Sequence, residues 1–130
     1  MKILKFGGTS VGTPQRMKDV SELISDGQQK IVVLSAMSGT TNTLVEIADY
    51  YKKGNVEAAG NVINKLRMIY MEHARELYST EDMVLKTIDF LKDEFMYLHS
   101  FASVEFSEVV ERTILAQGEI ISTNMVTNYL

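Results

Sequence analysis

Two short apolar runs constrain most of what this 130-residue chain can become. Residues 2–6 and residues 30–35 each read as a strand, and each runs into a polar, glycine-bearing loop that leads to a helix. The segment between them, 14–26, has a helical pattern, with Thr13 as its expected cap and Pro14 at its first position. Strand, helix and strand in that order predict a parallel pair joined by a right-handed crossover. The C-terminal ends of both strands then share one edge of the sheet, the edge at which α/β proteins bind ligands.

The first loop begins Lys5-Phe6-Gly7-Gly8-Thr9-Ser10-Val11. Adjacent glycines let backbone N–H groups come close to a ligand and tolerate φ > 0. The helix behind them offers unpaired donors and a partial positive charge, and Lys5 adds a full mobile one. The assembly suits a polyphosphate. It is neither the P-loop, where lysine follows the second glycine, nor G-x-G-x-x-G. On local chemistry alone, an ordinary tight turn with a solvated lysine fits equally well. The second loop, Ser35-Ala36-Met37-Ser38-Gly39-Thr40-Thr41-Asn42, carries hydroxyls and an amide but no charge. That composition suits a loop orienting a small polar substrate beside a phosphate site. One of Thr40, Thr41 or Asn42 is expected to cap the next helix; five polar side chains exceed that need.

KFGGTSV, then LSAMSGTTN about 30 residues on, then Ile114-Leu115-Ala116-Gln117-Gly118-Glu119-Ile120-Ile121-Ser122, resembles the aspartate kinases of the amino acid kinase family. The third stretch is similar to the family's glycine-glutamate-x-x-serine segment. The three matches stand in family order and spacing and span essentially the whole chain. The resemblance implies that residues 1–130 form the N-terminal portion of an α/β catalytic domain. That domain would be a truncated, helix-rich part of the three-layer αβα, carbamate kinase-like fold, with the remaining strands, most of the nucleotide pocket and any regulatory domains lying beyond it. It implies an ATP-dependent phosphotransferase that converts the β-carboxylate of L-aspartate to 4-phospho-L-aspartate, at the head of lysine, threonine and methionine biosynthesis. The opening residues read as a polar-flanked strand and not a signal peptide, so a cytoplasmic location is the default expectation. The fragment alone is expected to be inactive.

By the same resemblance, Lys5, Phe6, Gly7, Gly8, Thr9 and Ser10 bind the ATP phosphates, with Lys5 the catalytic charge. Ser35, Ser38, Thr41 and Glu119 bind aspartate, Glu119 pairing with its amino group. Ser122 falls one helical turn after Glu119, on a neighbouring position of one face. Mg²⁺ is expected to arrive with ATP, held by phosphates and few protein groups, with no metal site in the chain itself. The full-length protein is expected to be a homo-oligomer, either monofunctional or the kinase end of a bifunctional aspartate kinase–homoserine dehydrogenase. The chemistry needs few reactive groups. An ionised carboxylate nucleophile requires no general base, and phosphoryl transfer rests on positioning and charge neutralisation. Neither loop holds a histidine or a carboxylate.

Alternatives stay open at this point. Read alone, a glutamate after a glycine at a helix start is simply favoured by the helix dipole. Another member of the family, acting on glutamate, a carbamate or a nucleoside monophosphate such as UMP, would share the first loop. A non-catalytic anion-binding or oligomerisation module is the reading from a different class. Glu119 favours a substrate with an amino group, and the uncharged second loop fits a small amino acid better than a nucleotide.

The rest of the chain is helical by pattern. A helix over about 42–53 stops at Lys53-Gly54-Asn55. A third starts near Val56, with Val56, Ala59, Ile63, Leu66, Ile69, Tyr70, His73 and Leu77 on one face. Ser79-Thr80-Glu81-Asp82 opens a fourth, which repeats Val84, Ile88, Leu91, Phe95 and Leu98. Two segments, 104–117 and 118–130, follow. His73 and His99 read as structural residues far from the loops, the eight methionines as packing, and Glu105, Glu108 and Glu111 as the solvated face of one helix. A net charge of −4 argues against nucleic acid as a partner, and the absence of cysteine excludes thiolate chemistry. No apolar run approaches the ~20 residues of a membrane span. Two parallel strands do not make a stable sheet. The chain is therefore expected to belong to a longer domain and, taken alone, to associate through its open strand edges.

Overall fold

A computed structural model describes all 130 residues. The order is β1 (Lys2–Phe6), α1 (Pro14–Ile24), β2 (Lys30–Leu34), α2 (Thr40–Lys52), α3 (Val56–Leu77), α4 (Glu81–Ser100), a single 3-10 turn (Phe101–Ser103) and α5 (Glu108–Tyr129). The two strands are parallel, in register from Lys2 opposite Lys30 to Phe6 opposite Leu34. Leu4, Phe6, Val32 and Leu34 turn toward the helices, while Ile3, Lys5, Ile31 and Val33 leave the other face of the strand pair exposed.

Local signals set most boundaries. Thr13 accepts a hydrogen bond from the Arg16 N–H, and Pro14 occupies the first turn of α1. Gly54, at φ +76°, reverses the chain after α2, and Asn55 caps α3 through the Ala58 N–H. Thr80 caps α4 through the Met83 N–H. Helices α3 and α4 then run antiparallel, with Tyr70 against Phe95 and Asn64 bonded to His99. The core lies among the helices, around Ile47, Ile63, Leu66, Leu91, Phe95 and Ile114. Two buried tyrosines satisfy their hydroxyls across it, Tyr51 on the Leu98 carbonyl at 2.7 Å and Tyr78 on the Met125 carbonyl at 2.6 Å.

Several expectations fail, each for a physical reason. Val56 and Ile69 are exposed; the face of α3 that packs is Ala59, Ile63, Leu66, Tyr70, Ala74 and Leu77. The last two helical segments are one helix, and Glu105 precedes it rather than sharing a face with Glu108 and Glu111. Gly118 does not break α5, because close packing occupies the place of its side chain. A methyl group there would lie 2.8 Å from the Ala36 Cβ and 3.1 Å from Leu44 Cδ1. Glu119 is therefore in mid-helix, beyond the reach of the N-terminal dipole.

Candidate active site

The two loops leave the same end of the strand pair and are built against each other. Residues 7–13 form successive turns, Ser10 N–H to the Gly7 carbonyl at 3.0 Å and Gly12 N–H to the Thr9 carbonyl at 3.3 Å. The Arg16 guanidinium holds the outer side through the Thr9 carbonyl at 3.1 Å. Gly8 and Thr9 N–H groups make no bond within the turns. Neither Gly7 nor Gly8 has a positive φ, so conformational freedom is not what requires glycine here. Gly8 is required by proximity, since a methyl group on it would lie 2.8 Å from the Ala36 carbonyl oxygen. Ser38 Oγ donates to the Gly8 carbonyl at 3.0 Å, and Gly12 leaves room for that hydroxyl.

The second loop has the left-handed residue that the first lacks. Gly39, at φ +83°, is the N-cap of α2, and no side chain caps that helix. The expected cap by Thr40, Thr41 or Asn42 is absent because all three lie inside the first turn. The Thr40 N–H bonds the Met37 carbonyl and the Thr43 N–H the Gly39 carbonyl, leaving the Thr41 and Asn42 N–H groups unpaired. No acidic residue stands in that turn. Two free donors at a helix N-terminus, with no competing charge, favour an anionic group such as a carboxylate or phosphate.

Helix α5 closes a third side. Ser122 Oγ donates to the Ser35 carbonyl at 2.7 Å, with the Glu119 carbonyl at 3.2 Å as the intrahelical alternative. The Ser35 hydroxyl itself makes no bond within the chain. The glycine contact places Gly118 on the N-terminus of α2, so Thr41 and Glu119 each follow a residue of that contact. Glu119 is exposed at a groove of roughly 530 Å³ along the unpaired edge of β2, between Val32–Leu34 and Ala116, Thr123 and Thr127. Lys5 and Thr41 are also exposed. Neither Lys5 nor Glu119 takes part in any of the three ion pairs of the chain, which lie elsewhere at Lys30–Asp26, Lys53–Asp49 and Arg112–Glu108. Phe6 and Ser10 line a separate cleft with Arg16, Asp19, Val20 and Leu23 of α1.

Sequence reasoning missed one neighbour altogether. His73 does not lie far from the loops. It lines a cavity of about 180 Å³ with Gly12, Ser38, Gly39 and Thr43, and packs edge-on to Tyr70 with ring centroids 6.1 Å apart. Its Nδ1 is buried and unpartnered. Tyr70 in turn shares a 2.6 Å hydrogen bond with Thr40. No local signal marks these contacts; they arise because α3 folds back across the loop from 30 residues away.

Three glycine- and hydroxyl-rich segments thus meet at one end of the parallel strand pair of an α/β fold. The chain belongs to the amino acid kinase family, whose profile matches residues 1–130 in full. Among its relatives, the aspartokinase of Chlamydia trachomatis is 34% identical over 98% of this chain and 27% of its own length. The lysine-sensitive aspartokinase 3 of Escherichia coli is 28% identical over 93% of this chain and 26% of its own length. A solved structure of E. coli aspartokinase III in complex with aspartate and ADP superposes with a TM-score of 0.65, at 25% identity, over 99% of this chain and 28% of that one. The chain thus spans about a quarter of the length of these relatives.

Proposed function

We propose that this chain is the N-terminal portion of an aspartate kinase, which transfers the γ-phosphoryl group of ATP to the β-carboxylate of L-aspartate. The observation that carries the reading is the convergence of the three segments, with Gly8 against the Ala36 carbonyl and Ser122 bonded to Ser35. The aspartokinases that align over nearly the whole chain support it. On this reading Lys5 neutralises charge on the transferred phosphoryl group, and the free Gly8 and Thr9 N–H groups donate to it, acting more strongly as charge develops. The ionised β-carboxylate attacks phosphorus directly. Glu119 pairs with the substrate ammonium. Thr41, the open N-terminus of α2 and the Ser35 hydroxyl hold its carboxylate end, while Ser38 fixes one loop to the other.

On this reading Mg²⁺ enters as the ATP complex, held by the phosphates. No helix is long and apolar enough to cross a membrane. A cytoplasmic enzyme, where both substrates are abundant, is the location this reading favours. The exposed Ile3, Ile31 and Val33 support association with further polypeptide, including further copies.

The test uses the full-length protein with ATP and L-aspartate, glutamate, carbamate or UMP. ADP release should depend on aspartate, with an acyl phosphate trapped by hydroxylamine. ADP release with glutamate or UMP but not with aspartate would overturn the assignment.

A further inference from the structure

We propose that Tyr70 and Thr40 form a latch through which α3, an element outside the crevice, positions the groups that bind the acceptor substrate. This deepens the kinase reading and rests on it for the identity of the substrate.

The geometry begins with a weakness. The loop ahead of α2 turns at a left-handed glycine and has no side-chain cap, so its own backbone does little to fix the first turn of the helix. Beside the Ser38–Gly8 bond and the Ser122–Ser35 bond at its start, this segment is anchored at the first turn of α2 by the Tyr70 hydroxyl, 2.6 Å from Thr40 Oγ1. Both residues are buried, Tyr70 at 1% and Thr40 at 4% exposure. In such surroundings a hydroxyl left unpartnered is costly, so each holds the other in place. Burial pushes the Tyr70 phenol up to about 12, with the Thr40 bond pulling the other way, so the phenol stays protonated across the physiological range.

Thr40 also faces two ways. Its hydroxyl reaches α3, and its methyl lies where a side chain on Gly118 would meet it, at 3.3 Å. Successive helical residues point about 100° apart. An inward Thr40 therefore directs Thr41 outward, where it is exposed. Across the methyl contact, Gly118 carries Glu119 beside it. Releasing Thr40 moves one substrate-side residue directly and loosens the seat of the other. The phosphate loop meets this region through Ser35, Ala36, Met37 and Ser38, and none of those contacts involves Thr40, so nucleotide binding should feel the change much less.

The experiment compares wild type, Tyr70→Phe, Thr40→Val, the double variant and Thr40→Ser in the full-length protein. Kinetics with aspartate and ATP are read beside amide exchange of residues 38–43. Tyr70→Phe and Thr40→Val should each raise the KM for aspartate about 5- to 10-fold, the scale of one buried hydrogen bond, with the KM for ATP within about twofold. The double variant should be no worse than the worse single one. Thr40→Ser, which keeps the hydroxyl and loses only the methyl, should be clearly less impaired than Thr40→Val, and exchange at 38–43 should quicken wherever the bond is lost. Unchanged aspartate KM in Tyr70→Phe, even with lowered thermal stability, would overturn the latch. So would additive effects, or a Thr40→Ser variant as impaired as Thr40→Val. If Tyr70→Phe does not fold, Thr40→Val against Thr40→Ser decides the same question. If wild type does not phosphorylate aspartate, the kinase reading fails on its own, and the exchange data still test the latch.

Discussion

At the loop end of the strand pair, backbone lies against backbone. The Ala36 carbonyl occupies the space a Gly8 side chain would need, and the contacts that fasten the three segments are single hydrogen bonds from Ser38 and Ser122. In the α3–α4 hairpin, side chains keep the backbones apart. Ile63, Leu66, Tyr70, Leu91, Phe95 and Leu98 interdigitate, all at 4% exposure or less. The first arrangement has almost no tolerance for added atoms at Gly8, and its apolar anchors are few, chiefly Val11 and Met37. The second gains its stability from area and can relax when atoms are removed. Function should therefore be concentrated in the first region and stability in the second, with the Tyr70–Thr40 bond as the point where they meet.

The largest effect expected in the hairpin is Leu91→Ala, fully buried on α4, which should cost about 2–5 kcal/mol in urea unfolding while leaving the KM for aspartate unchanged. A large kinetic defect without loss of stability would break the division between the regions. At the loop end, Lys5→Ala should lower kcat by about 10²-fold or more, with little change in aspartate KM or melting temperature, as removal of one preorganised charge predicts. Wild-type turnover would remove Lys5 from the chemistry. Next comes Glu119→Gln, which keeps shape but removes charge. It should weaken aspartate binding by about 1–3 kcal/mol in calorimetric titration and leave an ATP analogue unaffected. Thr41→Val should weaken aspartate less. Impaired nucleotide binding with intact aspartate binding in Glu119→Gln would mean that the site has been drawn the wrong way round.

The smallest effect sharpens the hairpin side. Burial, then the neighbouring charge of Asp93, raises the Glu94 carboxyl above its ordinary 4.5, and its Oε2 has no partner. A raised carboxylate favours the folded state most below its unfolded value, and this is lost as pH climbs through the folded one. Glu94→Gln should therefore raise the melting temperature slightly at pH 7, the gain fading as pH falls toward 4.5. A gain independent of pH would assign it to packing instead.

Much of this was legible in the sequence where the signal is local. Thr13-Pro14, Gly54-Asn55 and Thr80 mark helix ends within a few residues, and the apolar runs mark both strands. The segments that form the crevice were also legible, as motifs. What was not legible depends on distant partners. Gly118 looks like a helix break until Ala36 and Leu44 are seen to fill its side. Three cap-forming residues at 40–42 suggest a side-chain cap, until Tyr70 is found holding the Thr40 hydroxyl. His73 looks remote because only the fold of α3 brings it to Gly39.

The near-contact of Gly8 with the Ala36 carbonyl also bears on how variation at this position should be read. Any single change at residue 8 collides with main chain, which no rotamer adjustment can move aside. A lineage could replace this glycine only by first displacing the neighbouring loop, a two-step path whose intermediate is already damaged. Glycine would therefore persist here whatever the two loops came to bind. Its retention testifies to the architecture of the loops, and the history of catalysis is better sought at Lys5, where nothing steric stands in the way of change.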